Sequence, residues 1–223
     1  VSVLLFEDLL IVPLLAIVAF LAPPSPDAVA GSRWLSVGVG VASLVGLVAV
    51  GLWALNPLFR VLAAAKAREV MTAAALLVVL GSALLMDLGG LSMAMGAFLA
   101  GVLLSESAFR HELESQIEPF KGLLLGLFFI AVGMDIDLDR VAEEPQIIAA
   151  GVLVLLLVKF GILFLVGLRP GKLPVRSALM LGSVMWLGGE FAFVVFSEAV
   201  RVNLLDDEAR DRLVAMVGVS MAL

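Results

Sequence analysis

Long apolar stretches alternate with short polar breaks along the chain, and this pattern predicts membrane-spanning helices. Several stretches approach or exceed the roughly 18–20 residues that a helix needs to cross the hydrocarbon core of a bilayer. The breaks, such as "APPSPD" and "RPGKLPVR", contain the proline, glycine and charged residues that end helices. The predicted fold class is all-α, a polytopic transmembrane helical bundle. We predict eight segments, at about 1–22, 34–58, 69–88, 91–105, 120–134, 146–168, 175–199 and from 213 onward.

The lysine and arginine residues between these segments fall into two alternating sets of loops. One set holds eight of them: Arg60, Lys66, Arg68, Arg110, Lys121, Arg169, Lys172 and Arg176. The other set holds five, interspersed with aspartates: Arg33, Arg140, Arg201, Arg210 and Arg212. Because positive residues are enriched in cytoplasmic loops, the first set belongs in the cytoplasm. The first segment therefore runs from the inside of the membrane to the outside.

The composition supports a membrane protein and excludes several other classes. Of the 223 residues, 62% are hydrophobic and 15% are charged, whereas soluble domains are about half apolar and a quarter charged. The net charge of −6 provides no basic surface for nucleic acid, and a chain without cysteine and with one histidine offers no thiolate or histidine-rich metal site. No enzyme activity is expected. Because Val1 and Leu223 both lie inside apolar runs, we expect the chain to be an internal fragment of a longer protein.

Four ionisable residues lie well inside the predicted segments: Glu7, Asp8, Lys159 and Glu190. Charges at membrane depth usually face the interior of a helical bundle and mark paths for ions or protons. Asp8 lies in the first segment and Lys159 in the sixth, and these two helices are predicted to run in opposite directions. The two charges are then expected at similar depth, where each lowers the cost of burying the other. An ion pair with a purely structural role is the alternative.

Backbone effects distinguish the two acids of the first segment. Glu7 and Asp8 point about 100° apart on a helix, so they cannot face one partner. Pro13 has no N–H, which leaves the carbonyl of Leu9 without its helical donor. A free carbonyl beside Asp8 adds a second oxygen ligand, so this carboxylate is a candidate site at which a cation and a proton compete.

The acid of the seventh segment follows a pair of glycines. Gly188 and Gly189 precede Glu190 directly and weaken the helix at that point. Transporters break their helices at such glycine-interrupted segments and expose backbone to ions. A glycine pair that only permits close helix packing is an equally open explanation.

A polar stretch at 106–119, "ESAFRHELESQIEP", separates the fourth and fifth segments. It contains His111 together with Glu112, Glu114 and Glu118. We predict a cytoplasmic loop here. Charge runs of this kind usually form a solvated surface, and a docking surface for a soluble partner domain is the sharper alternative.

Three stretches together resemble one known family. "GLSMAMGAFLAGVLLSESAFRHELESQIEPFKGLLLGLFFIAVGMDIDL", residues 90–138, closely resembles the glutathione-regulated potassium-efflux antiporters of bacteria, the Kef family. "LLFEDLLIVPLLA" and "GGEFAFVVFSEA" resemble two further stretches of these proteins. The resemblance implies a sodium/proton-antiporter fold with inverted repeats, of which this chain is a part, a dimerisation domain and a mobile core.

The resemblance also implies roles for individual residues. The acidic ion-site residue of the family matches Asp8, and its membrane lysine matches Lys159. Its glycine–acid stretch, next to the core crossover, matches Gly189 and Glu190. Its regulatory loop, which contacts a C-terminal nucleotide-binding domain in complete members, matches "HELESQIEPF" and the following residues within it: His111, Glu112, Glu114, Gln116 and Glu118.

The chain departs from the family pattern at two positions and in its extent. Family members often have glutamine in place of Glu7, so we expect a different ion selectivity or proton stoichiometry. The regulatory loop usually has aspartate in place of Gln116, which puts gating by glutathione in doubt. We expect the early helices, with the first broken crossover helix, and any nucleotide-binding domain to lie outside this chain.

The family function is therefore the exchange of a monovalent cation, first of all potassium, for protons across the bacterial inner membrane. Asp8 would bind cation or proton, Lys159 would compete for it, Glu7 would shape the site electrostatically and Glu190 would support the crossover. We expect a homodimer in lipid, with nucleotide or glutathione bound only by an absent C-terminal domain. Two alternatives are a sodium/proton exchanger without glutathione regulation and a gated, channel-like or sensor module.

Overall fold

A computed structural model describes residues 6, 8–22, 32–64 and 68–222 of the chain. These residues are almost entirely helical, and no strand occurs among them. Their helices, in chain order, are α1 Ile11–Leu21, α2 Ser32–Ala64, α3 Arg68–Leu88, α4 Met93–Ser105, α5 Arg110–Asp135, α6 Leu138–Glu143, α7 Pro145–Leu168, α8 Val175–Val184, α9 Phe191–Arg201 and α10 Asp207–Ala222. The predicted all-α class is confirmed.

Four of these helices are long and apolar enough to cross a membrane. By length and composition, the spans are Val37–Ala64, Glu69–Leu88, Arg110–Asp135 and Pro145–Leu168. Their surfaces carry many exposed large apolar side chains, such as Trp53 at 83% and Leu123 at 72% exposure. Soluble proteins rarely leave contiguous apolar surface of this kind in water, so the helices suit a lipid environment.

The chain divides into two compact units. The first comprises Val1–Phe128 with Arg201–Leu204, and the second comprises Phe129–Val200 with Leu205–Leu223.

The first unit is built around the hairpin of α3 and α4. At its turn, Gly90 has a φ of +75°, a backbone region that favours glycine, and the N–H of Leu91 donates to the carbonyl of Met86. A Cβ on Gly96 would lie 2.4 Å from the carbonyl oxygen of Ser82, so the two helices meet backbone to backbone. The small residues of 93–101 thus permit the close packing that membrane helices favour. In contrast, a Cβ on Gly122 or Gly126 in α5 would meet nothing within 4 Å among the described residues.

The second unit is centred on α7, which packs against both α8 and α10. Its core is a small apolar cluster of Ile148, Val152, Leu156 and Ala215. At the N-terminal end of α7, Arg212 of α10 donates two hydrogen bonds of 2.8 Å to the carboxylate of Glu144. The hydrogen bond to Glu144 raises the pKa of the Arg212 guanidinium above its ordinary value. A hydrogen bond between charged groups is stronger than one between neutral groups, so this contact fixes α10 against the start of α7.

The packing of α7 on α8 depends on a glycine contact, which supplies a stability prediction. A Cβ on Gly182 would lie 2.9 Å from the ring of Phe160 and 3.2 Å from its backbone carbonyl. We expect Gly182→Ala to lower the stability of the full-length protein by about 1–3 kcal/mol through overpacking. The measurement is the melting temperature in detergent.

The matched control is Gly161→Ala on α7, where a new Cβ would meet nothing within 4 Å. There the substitution only improves helix propensity, by about 1 kcal/mol, so the melting temperature should hold or rise. Equal effects of the two substitutions would contradict the close contact.

The second segment, predicted to end at about 58, continues to Ala64, and the eighth, predicted to begin near 213, begins at Asp207. Two larger predictions were wrong, and each error has a physical reason. The predicted loop at 106–119 is short: α5 begins at Arg110 and runs through Pro119. Leu113 is buried, and Ile117 packs against the same core, so this polar stretch is an amphipathic helix. Charged residues show where an apolar segment begins, but the helix can begin earlier, in a polar and amphipathic stretch.

The second error concerns the seventh segment, predicted as continuous over 175–199. The structure has two short helices, α8 and α9, separated by non-helical residues 185–190. Of the two explanations left open for the glycine pair, a broken helix is therefore confirmed.

Candidate functional site

The break between α8 and α9, residues 185–190, lies in the second unit. α8 ends at Val184, and α9 restarts with the N–H of Ala192 donating to the carbonyl of Gly189. Two consecutive glycines each cost a helix about 1 kcal/mol relative to alanine, so the chain leaves the helix here at low cost. A break frees backbone carbonyls and N–H groups from the helical ladder, and these groups need other partners at membrane depth.

Lys159 supplies one of these partners. Its ammonium Nζ donates a hydrogen bond of 2.6 Å to the carbonyl oxygen of Leu187 in the break. Lys159 lies past the middle of α7 and is half-buried. A hydrogen bond from a charged donor is roughly twice as strong as a neutral one, so the contact compensates both the buried charge and the freed carbonyl.

Ser220 of α10 supplies the other partner. The N–H of Gly188 donates to Ser220 Oγ at 3.3 Å, and Ser220 Oγ itself donates to the carbonyl of Val217 at 2.7 Å. The side chain of Ser220 is fully buried. The break is therefore held by α7 at the carbonyl of Leu187 and by α10 at the N–H of Gly188. No sequence signal pointed to Ser220, because a single serine in an apolar helix is common.

Two acids accompany the break. Glu190 is half-buried and comes directly before the first residue of α9, where the positive end of a helix favours a carboxylate. Glu198 lies within α9 and is only 6% exposed. Sequence reasoning missed Glu198 because it stands next to the predicted end of the seventh segment, although an acid in "FAFVVFSEAV" was a visible signal.

The acid of the first segment lies in the other unit. Asp8 is exposed on a helical turn that precedes α1, and Glu7 lies outside the described residues. The N–H of Leu10 donates to the carbonyl of Phe6, and that of Leu14 to the carbonyl of Leu10. Pro13 stands inside α1 and cannot donate to the carbonyl of Leu9. The pairing of Asp8 with Lys159 stays a prediction, because the two residues belong to different units.

The candidate regulatory residues lie within the first nine residues of α5 and not in a loop. Four of them have exposed side chains: His111, Glu112, Glu114 and Glu118. His111 Nδ1 lies 4.0 Å from Glu114 Oε2. Gln116 differs from them, because its Oε1 accepts a 2.9 Å hydrogen bond from the Thr72 hydroxyl of α3. Gln116 therefore anchors the helix, and the acids form a surface.

The turn before α5 is anchored as well, by a residue that sequence reasoning did not single out. Asn56 of α2 accepts hydrogen bonds through Oδ1 from the Ser107 hydroxyl at 3.3 Å and from the Ala108 N–H at 3.1 Å. The Ser107 hydroxyl oxygen in turn accepts from the N–H of Phe109. This network fixes the start of α5 against α2.

Comparisons with known proteins agree with this architecture. A family profile described as "Sodium/hydrogen exchanger, transmembrane" matches residues 1–223. A glutathione-regulated potassium-efflux system protein of Haemophilus influenzae is 51% identical over 221 residues, which cover 99% of this chain and 36% of that relative. The resemblance to the Kef family is thereby confirmed, and the chain spans little more than a third of the length of the relative. The chain belongs to the family of transmembrane sodium/hydrogen exchangers.

Proposed function

We propose that the full-length protein is a secondary transporter that exchanges potassium for protons by alternating access. The observation that carries this proposal is the match of the whole chain to the exchanger family. The printed name of the Haemophilus influenzae relative supports potassium as the cation. The broken helix, with a lysine on a freed carbonyl, is the kind of site that transporters use for ions.

In this proposal, coupling arises because one carboxylate accepts only one positive partner at a time. A carboxylate at membrane depth needs a counter-charge, and a cation, a proton or an ammonium each supplies it. Asp8 binds either the cation or the proton, and Lys159 takes their place when both are absent. Glu7 sets the field around Asp8, and Glu190 supports the break. Each elementary charge that crosses 100 mV gains about 2.3 kcal/mol, so opposed gradients suffice to drive the exchange.

The family membership also supports a proposal for the remaining helices, the regulatory partner, the membrane and the oligomeric state of the full-length protein. Residues 1–223 form part of one antiporter domain, whose other helices lie in the remaining length of the full protein. The exposed acids of α5 provide a docking surface for a cytoplasmic regulatory domain or subunit. Nucleotide or glutathione binds to that domain or subunit and not to the helices of this chain. We place the protein in the bacterial inner membrane as a homodimer.

Sodium is the second candidate cation, because the description of the matching family names it. The test uses everted vesicles that contain the full-length protein and a pH-sensitive dye whose quench reports the proton gradient. We expect potassium chloride to dissipate the gradient at a lower half-saturating concentration than sodium chloride. Vesicles without the protein are the control.

Two outcomes would contradict the proposal in different ways. Half-saturation at a lower sodium than potassium concentration would identify a sodium/proton exchanger. Cation flux that proceeds without any proton movement would identify a channel-like module instead.

A further inference from the structure

We propose that Ser220 is a positioning residue of the exchange cycle, which orients the peptide group between Leu187 and Gly188 so that its carbonyl faces the Lys159 ammonium. This inference rests on the proposed function, because it concerns the charge that competes with the cation. The contacts that carry it lie within the second unit, to which all four residues belong.

The two contacts at the break involve a single peptide group. Lys159 Nζ lies 2.6 Å from the Leu187 carbonyl oxygen, and Ser220 Oγ lies 3.3 Å from the Gly188 nitrogen. The carbonyl of Leu187 and the N–H of Gly188 are the opposite polar ends of one planar unit. Holding the N–H in place therefore sets the direction in which the carbonyl points.

The hydroxyl of Ser220 can act only as an acceptor toward Gly188, because its proton is already donated elsewhere. A hydroxyl has one proton to donate and two lone pairs that accept. The proton of Ser220 is given to the carbonyl of Val217 at 2.7 Å, so the oxygen faces Gly188 as an acceptor. Because the side chain is fully buried, no water competes for that oxygen.

Glycine at position 188 is what permits this approach. A Cβ there would lie 2.6 Å from Ser220 Oγ and 3.1 Å from Val217 Cγ1. The glycine pair thus serves both purposes that its sequence left open, since it breaks the helix and also admits close packing against α10.

The consequence for exchange follows from the proposed function, in which the Lys159 ammonium competes with the cation for the Asp8 carboxylate. In the structure this ammonium donates a hydrogen bond to the Leu187 carbonyl. A peptide group that is free to rotate no longer holds the ammonium at the carbonyl. Lys159 then competes more strongly for Asp8, and more cation is needed to displace it.

The test measures potassium/proton exchange by the full-length protein and its Ser220→Ala variant in vesicles, as initial rate against potassium concentration. Loss of one buried hydrogen bond predicts a rise of about threefold to tenfold in the KM for potassium. The maximal rate per folded protein should stay within about twofold, since the Asp8 site itself is intact. A merely structural role would lower the maximal rate at unchanged KM.

Two further variants sharpen the comparison. Ser183→Ala is the matched control, because the hydroxyl of Ser183 also bonds back within its helix, to the Met180 carbonyl, but is exposed. Ser183→Ala should behave like the unmodified protein. Ser220→Thr, which keeps the hydroxyl, should have a KM for potassium close to that of the unmodified protein. If Ser220→Ala yields no folded protein, Ser220→Cys preserves the volume with a weak acceptor and should show the same rise in KM.

An unchanged KM in folded Ser220→Ala or Ser220→Cys, while the unmodified protein exchanges normally, would overturn the inference and leave the proposed function intact. Absence of potassium/proton exchange in the unmodified protein would overturn the proposed function itself, and this inference with it.

Discussion

The full-length protein with Asp8→Asn is expected to lose cation/proton exchange almost completely, by roughly 100-fold or more at saturating cation. Asparagine neither carries a charge nor takes up a proton near neutral pH, so in the proposed exchange neither the cation nor the proton would have a site. A cation at membrane depth without a carboxylate partner is destabilised by about 3–5 kcal/mol. Each 1.4 kcal/mol corresponds to a factor of ten, so this cost accounts for a loss of 100-fold or more. The measurement is dye-quench exchange in vesicles at matched protein levels.

The control for this prediction is Asp135→Asn. Asp135 is an exposed aspartate at the end of α5, so the same chemical change there should leave exchange within about twofold of the unmodified protein. Full exchange by Asp8→Asn would show that the ion-binding carboxylate is a different one, with Glu7, Glu190 and Glu198 next in line.

Lys159→Met is expected to reduce exchange and stability together. The substitution leaves the Leu187 carbonyl without the donor that lies 2.6 Å from it. An unsatisfied buried carbonyl costs about 1–3 kcal/mol, which should appear as a lower melting temperature in detergent. Exchange should fall by at least about tenfold, because in the proposed function Lys159 is the charge that replaces the cation and the proton, and because the break loses the hydrogen bond from Lys159.

Lys172→Met is the matched control, because Lys172 is an exposed lysine in the loop between α7 and α8. Neither its exchange rate nor its melting temperature should change appreciably. Exchange by Lys159→Met at the full rate would remove the lysine from the mechanism, whatever the change in melting temperature.

Hydropathy predicted two of the long helices, α3 and α7, well because a bilayer imposes a minimum length on an apolar helix. The third segment, predicted at 69–88, is α3 Arg68–Leu88, and the sixth, predicted at 146–168, is α7 Pro145–Leu168. The seventh segment was predicted less well, since a glycine pair is equally compatible with a break and with close packing. Only the structure shows that Gly188 does both.

The partners of the break could not be predicted at all. Ser220 is 32 residues from Gly188 in sequence, and their contact depends on how α10 packs in the second unit. Lys159 was identified as a membrane charge, but its carbonyl partner follows from a break whose position the sequence left open. Residue chemistry identifies groups that need partners, whereas tertiary packing decides which partners they find.

The continuity of α5 has a consequence for the speed and salt dependence of the regulation proposed above. A regulatory partner that reaches the acids of 111–118 meets a helix that is already formed, because Leu113 is buried in the core and Gln116 is bonded to Thr72. Ordering a loop would cost roughly 1–2 kcal/mol per residue, and this surface avoids that cost. Association can then be fast and steered by charge, and it should weaken steeply as ionic strength rises.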